Sequence, residues 1–213
     1  MRQPLSPDLL LRAYAMGVFP MAKARNDKRI YWVDPNERGI LPLEGFHIPR
    51  SLKKVMQRAP YDIRVDTAFS AVMEGCAEPK PGREKTWIND EIQSVFVQLN
   101  QLGLAHSVET WQGNELVGGL YGLSLGSAFI GESMFSHRTD ASKVALVDLI
   151  ARLRLGGYVL LDTQFITDHL AQFGAVEIPR EDYLSMLAAA VAMPARFTRE
   201  PVAWEAAMGR SRR

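Results

Sequence analysis

Two short stretches carry side chains whose types and spacing could do chemistry. Gly131-Glu132-Ser133-Met134-Phe135-Ser136 packs an acid, two hydroxyls and two apolar side chains into six residues. Alternate side chains of an extended chain share a face, so Glu132, Met134 and Ser136 are expected on one side. Asp162 and Gln164 follow the apolar run Val159-Leu160-Leu161 and fall on one face of a strand end by the same alternation. A carboxylate there can hold an amine or take its proton, and a glutamine can accept through its oxygen while donating through its amide. Strand ends of open sheets are where such sites gather. Without function, the first stretch reads as a strand end with a helix cap, and the second as a braced loop.

Other chemistries are poorly served. Ser133, Ser136, His106 and His137 form no G-x-S-x-G elbow. Cys76 falls on an apolar helix face, where a thiol is inert packing, and four scattered histidines with one cysteine offer no zinc-type cluster. Arg154-Leu155-Gly156-Gly157 reads as a helix stop rather than a pyrophosphate loop.

The elements that must position these residues follow from periodicity and punctuation. Ser6-Pro7 opens a helix over 8–16 that Gly17 ends, and 18–49, with four prolines, reads as irregular packed chain. Tyr61, Ile63 and Val65 alternate as a strand, and Thr67 is expected to cap a helix bearing Phe69, Val72, Met73 and Cys76. Asn89 caps the helix of Ile92, Val95, Phe96, Leu99 and Leu102, which Gly103 closes. Strands at 105–111, 115–122 and 127–133 form an antiparallel meander, followed by a helix over 141–155. A buried strand 158–161, a short helix 168–173, a strand 176–178 and a helix 182–191 complete the order β, α, α, β, β, β, α, β, α, β, α.

The 213 residues are 47% hydrophobic and 23% charged, enough for one sizeable core with a small appendage, and too apolar for a disordered chain. No uncharged apolar run approaches the roughly 20 residues a bilayer requires, and no long apolar region follows Asp8 and Arg12 as a signal peptide would need. With its single cysteine, the chain is expected in a reducing cytoplasm. The net charge of +1 is unevenly divided: residues 1–85 hold 15 Lys/Arg against 10 Asp/Glu, and the remainder 10 against 14. The cations cluster as Lys23, Arg25, Lys28 and Arg29, then Arg50, Lys53, Lys54 and Arg58, then Lys80, Arg83 and Lys85. Such clusters suit contact with a phosphate backbone, or equally a solvated face.

A series of ordered words makes the sequence specific. Ala13-Tyr14 with Gly17 and Phe19-Pro20, Trp32 with Pro35 and Arg38, Pro49-Arg50-Ser51-Leu52-Lys53, Thr86-Trp87-Ile88, Ala105-His106-Ser107-Val108-Glu109, Leu116 to Gly122, Gly131 to Ser136, Ala141-Ser142-Lys143 and Leu161-Asp162 with Gln164 stand in order. Across residues 5 to about 187 the chain resembles the leucyl/phenylalanyl-tRNA-protein transferases of bacteria. It departs from them at Met21, where many members have tryptophan, at Asn100 and Gln172, and in lacking a Gly-Gly-Asp word before the first helix.

The resemblance implies an α+β fold with a mixed, mainly antiparallel sheet of the acetyltransferase (GNAT-like) type. It divides the chain into a small N-terminal domain over 1–45, a transferase domain over 46–195 and a tail over 196–213. The implied activity moves leucine, phenylalanine or, less readily, methionine from Leu-tRNA, Phe-tRNA or Met-tRNA onto proteins beginning with Arg or Lys. The product carries an N-end degradation signal. No cofactor, metal or membrane is implied, and the chain is expected to be a monomer. On that basis Asp162 and Gln164 grip the attacking amine, and Glu132 with Ser136 receives the acceptor's cationic side chain. Phe129, Leu120 and Met134 line the aminoacyl pocket; Trp87, Tyr14 and Arg50 meet the tRNA 3′ end; Lys53, Lys54, Arg83 and Lys85 meet its backbone. The alternatives are an acetyl-coenzyme A dependent N-acetyltransferase of the same fold, and a noncatalytic binding module for tRNA or the degradation signal.

Overall fold

The computed structural model describes residues 4–79 and 84–208. The chain runs α1 (Pro7–Ala15), β1 (Phe19–Met21), β2 (Tyr31–Val33), β3 (Glu37–Ile40), α2 (Arg50–Arg58), β4 (Asp62–Val65), α3 (Phe69–Ala77) and α4 (Asp90–Gln101). There follow β5 (Ala105–Gln112), β6 (Glu115–Leu125), β7 (Ala128–Ser136), α5 (Ala141–Leu155), β8 (Leu160–Gln164), α6 (Asp168–Ala171), β9 (Val176–Pro179), α7 (Arg180–Val191) and a 3-10 turn, Trp204–Met208. From β4 onward this is the order expected from the sequence.

Seven strands form one mixed sheet in the order β4-β5-β6-β7-β8-β3-β9. Every neighbouring pair is antiparallel except β7 and β8, which run parallel. Alternation along the strands sorts side chains into two cores. Tyr121, Ile130 and Leu160 join α3, α4, Tyr14 and Leu187 on one face, while Leu120, Phe129 and Leu161 join α5, Leu52 and Met56 on the other.

The early segment is more ordered than its prolines suggest. β1 and β2 pair as a small ribbon, and β3 enters the main sheet between β8 and β9. Three- and four-residue strands with Pro20 among them carry too little periodicity to be read in advance. The last segment also belongs to the body: twelve of the fifteen residues of α5 are buried, because residues 197–208 cover its outer side. The buried Arg152 pairs with Asp148 and donates to the carbonyls of Thr198 and Glu200 at 2.8 and 2.7 Å.

Helix ends follow local chemistry where the sequence supplies it. Ser6 accepts from the Leu9 amide and Asn89 from the Ile92 amide, each opening its helix. Thr67 does not cap α3 as expected. Its hydroxyl and amide, with the Ala68 amide, donate instead to Glu109 of β5, a fully buried carboxylate that also accepts from Ser107 Oγ and Trp111 Nε1. A remote carboxylate thus satisfies backbone donors at the helix start, where negative charge is favoured. Glu109→Ala strands these donors and should lower stability by about 3 kcal/mol, read as a shift in the urea midpoint at constant m value. A loss below about 1 kcal/mol would show that water replaces the carboxylate.

Candidate functional site

β7 and β8 pair only over Ala128–Ile130 and Leu160–Asp162. Beyond those three pairs they part, and the residues that follow on each strand border a cavity of about 570 Å³. Its walls are mainly apolar: Phe19, Met21, Trp87, Leu120, Met134, Leu146 and Leu161 among them.

The expected alternation fails along the first wall, where every residue from Gly131 to Ser136 borders the cavity. The cause is a β-bulge. Gly122 of β6 pairs with Gly131 and Tyr121 with Ser133, leaving Glu132 as the inserted residue. Gly122 is required there, since an added Cβ would lie 2.3 Å from the Ile130 carbonyl oxygen. The bulge turns Glu132 into the gap between the parting strands.

Glu132 is buried, and one of its oxygens is committed: Oε1 accepts from Tyr14 Oη at 2.7 Å and from Gln164 Nε2 at 3.0 Å. Oε2 is buried with no hydrogen-bond partner. Burial pushes this carboxyl up to about 8, against the hydrogen bonds from Tyr14 and Gln164; Asp162 adds to the rise and Arg38 opposes it. Burial, followed by the charge of Glu132, raises the Tyr14 phenol.

Asp162 is placed differently from the expectation. It is fully buried and does not border the cavity, and both its oxygens are taken. Oδ1 accepts from Arg38 Nε at 2.9 Å and from the Gln164 amide at 2.8 Å; Oδ2 accepts from Arg38 Nη2 at 2.6 Å and from Tyr183 Oη at 2.8 Å. The bond to the amide two residues on holds Gln164 at φ 61°, which breaks the alternation and swings the Gln164 side chain to the cavity. Arg38 also donates to the Gly17 carbonyl at 2.9 Å, with Phe19 and Tyr183 rings over its guanidinium. Burial, then the charge of Asp162, raises the Tyr183 phenol.

The structure brings Glu132, Gln164, Met134, Leu120, Trp87 and Ser136 to one cavity. The Ser136 hydroxyl is engaged there, donating to the Arg138 carbonyl and accepting from the Ser142 amide. Phe129 does not line it: the ring is fully buried in the core shared with α5, against Tyr158 and Phe197. Tyr14 faces Glu132 from within the core rather than the cavity. Arg50 and Lys54 are exposed on α2, with Lys53 half-buried beside them, and Lys85 is exposed; Arg83 lies outside the described residues. Arg38 and Tyr183, which carry the polar floor, were given no role by sequence reasoning. Nothing in the four residues of β3, Glu-Arg-Gly-Ile, marks Arg38 in advance as buried. Among the described residues, no three His, Cys, Asp or Glu side chains converge as metal ligands. No helix among them is long and apolar enough to cross a membrane.

An apolar cavity between parting strands, floored by a desolvated carboxyl and an amide, has the make-up of an enzyme cleft. The family model for leucyl/phenylalanyl-tRNA protein transferase matches residues 40–188, and the model for the N-terminal domain of the same transferase matches 3–36. The chain belongs to this family. Among its relatives, a Paramagnetospirillum magneticum protein named leucyl/phenylalanyl-tRNA–protein transferase is 63% identical over 97% of this chain and 99% of its own. Proteins of the same name from Caulobacter vibrioides and Rhodospirillum rubrum are 60% and 56% identical, over 89% and 91% of this chain and 88% and 91% of theirs.

Two outcomes follow from the buried carboxyls. The folded chain holds the Glu132 proton up to about pH 8, whereas the unfolded chain releases it near the ordinary 4.5. Folding therefore loses a contribution of a few kcal/mol as pH rises through that window. Glu132→Gln removes the titration, so its stability relative to wild type should climb between about pH 5 and about pH 8 in urea denaturation; a constant difference would contradict the raised carboxyl. Asp162→Asn leaves Arg38 buried against a neutral partner and should cost about 3–5 kcal/mol by the same measurement. A cost under about 1 kcal/mol would mean the pair does not organise the floor.

Proposed function

We propose that this chain transfers leucine, phenylalanine and, less readily, methionine from aminoacyl-tRNA to proteins whose N-terminus is Arg or Lys. The reading is carried by Glu132 Oε2, a buried carboxyl oxygen without a hydrogen-bond partner at the floor of an apolar cavity. Such an oxygen is costly in either protonation state, and the cationic groups of an N-terminal Arg or Lys both favour its ionised form and supply the donors it lacks.

The aminoacyl ester is already activated. The amine nitrogen attacks the ester carbonyl and the bond to the tRNA 3′ oxygen breaks; an amine that enters as ammonium sheds two protons, one to an acceptor in the site and one to the departing 3′ oxygen, which leaves as a hydroxyl. An α-amino group titrates near ~7.7–8, close to the Glu132 carboxyl at about 8. Proton exchange between the two is nearly balanced, so Glu132 can both receive the cation and release a neutral nucleophile. Gln164 orients the same group, and Asp162 acts through Arg38 and the Gln164 backbone as a positioning residue. The apolar wall of Leu120, Met134, Leu146 and Leu161 receives the transferred side chain, with Trp87 at its edge for the terminal adenosine.

The exposed cations of α2, with Lys85, suit the tRNA backbone. The parting of β7 and β8 supports a likeness to the acetyltransferase fold, and a cytoplasmic monomer fits these substrates.

Incubating the protein with Leu-tRNA and an Arg-peptide, and separately with acetyl-coenzyme A, tests the reading. Leucine should appear on the peptide and acetyl should not; the reverse would overturn it. Met134→Ala should widen the slot and raise the ratio of phenylalanine to leucine transferred in competition by a few-fold, since lost packing hurts the smaller side chain more. An unchanged ratio with reduced total transfer would place Met134 outside the aminoacyl contact.

A further inference from the structure

A second cavity, of about 590 Å³, shares no lining residue with the cleft between β7 and β8. His106 of β5 and Ser124 of β6 border it on one side, and Arg196, Phe197 and Arg199 of the segment after α7 on the other. His106 is buried, and its ring is fixed from two directions. Phe197 stacks on its face with centroids 4.1 Å apart and planes 6° from parallel, and Nδ1 lies 2.8 Å from Asp66 Oδ2.

Asp66 is held in turn by the Ser107 amide at 2.8 Å, Asn100 Nδ2 at 3.1 Å and Arg199 Nε at 2.7 Å. Burial alone would raise this carboxyl, but the hydrogen bond from His106, with the Ser107 amide and Arg199, keeps it below its usual value. It is therefore an ionised acceptor, and the Nδ1 proton points at it. Its backbone sits at φ 55°, a left-handed conformation tolerated by aspartate.

That arrangement fixes the ring so that Nε2, which makes no hydrogen bond among the described residues, is left for the cavity. Arg196 is exposed beside it, and its guanidinium likewise makes no hydrogen bond among the described residues. Asp66 is balanced by Arg199, and Glu200 also borders the cavity, so Arg196 and the imidazole supply the recognition. An imidazole oriented by a carboxylate, next to planar arginine forks, matches a group that offers one acidic hydroxyl and several anionic oxygens. The hydroxyl donates to Nε2 and the oxygens accept from Arg196 and Arg199.

We infer that this cavity binds a phosphate monoester group. The group belongs either to a small phosphorylated compound or to the 5′ terminus of an RNA; only the RNA source rests on the proposed transfer function, and the site itself does not. Titrating inorganic phosphate and glycerol phosphate into the ¹⁵N-labelled full chain, while following the His106 ring nitrogens, tests it. Saturable movement of Nε2 is expected at low-millimolar concentration or below, weakened about tenfold or more by Arg196→Ala. That side chain is exposed and makes no hydrogen bond among the described residues, so the variant keeps the fold, which the same spectra check. No saturable movement up to about 20 mM, or equal affinity in Arg196→Ala, would overturn the site. Displacement of phosphate by tRNA carrying its 5′ phosphate, but not by dephosphorylated tRNA, assigns the RNA source; displacement by neither assigns the small compound. Equal displacement by both tRNAs would overturn the monoester assignment. Leucine transfer is not the readout, so failure here is distinct from failure of the transfer reading.

Discussion

The floor of the cleft depends on the buried ion pair between Arg38 and Asp162. Two charges withdrawn from water repay their desolvation only when good geometry and further hydrogen bonds support them. Here the guanidinium donates to both carboxylate oxygens and to the Gly17 carbonyl, and the carboxylate also accepts from Tyr183 and the Gln164 amide. The pair ties the N-terminal segment, β3, β8 and α7 at one point. An apolar replacement of equal volume would be cheaper to bury, but it could not hold the Gln164 amide. That bond, with the tight turn from the Phe165 amide to the Thr163 carbonyl, keeps residue 164 left-handed and its amide beside Glu132.

Glu132 and Asp162 are both buried acids, and their surroundings separate their tasks. Asp162 accepts four hydrogen bonds, two of them charged, and is complete as it stands. Glu132 accepts two neutral ones, both on a single oxygen, and the other oxygen has none. A completed carboxylate has nothing to offer a ligand, while an incomplete one bears a desolvation cost that a ligand relieves. The difference originates in the backbone. Asp162 lies within the last paired positions of β8, whereas Glu132 is pushed out of β7 by a bulge at the point where β8 departs.

What could be read from the amino-acid sequence follows the same division. From β4 onward, apolar alternation, Asn89 and the paired glycines after α5 specify the elements locally, and their order was legible. β3 was not, because four residues with one buried arginine carry no period; their place between β8 and β9 is fixed by partners more than a hundred residues away. That Glu132 and Gln164 border one cavity was legible because polar types among apolar ones at strand ends are unusual. Asp162 was expected at the cavity because strict alternation was extended through a left-handed turn, which one-dimensional periodicity cannot register; Phe129 was placed by the resemblance, not by the pattern of the strand. Thr67 was misassigned for a related reason: a local cap was inferred where Glu109, forty-odd residues on, supplies the acceptor.

The cleft itself is a consequence of mixing strand directions. Antiparallel partners joined by tight turns, as in β5 to β7, are held together along their length; parallel partners are joined through a helix and need agree only where they pair. β7 and β8, connected through α5, pair for three residues and then separate. Past that point one edge of each strand lacks a sheet neighbour, and backbone donors and acceptors do not stay unpaired without cost. The chain answers this on the β8 side with the Asp162 bond to Gln164 and the tight turn from the Phe165 amide to the Thr163 carbonyl. On the β7 side it answers with the bulge, which substitutes a carboxyl for a strand at the gap. The polar floor is thus the local repair of a broken ladder, and among the described residues Glu132 Oε2 is a position that the repair leaves without a hydrogen bond.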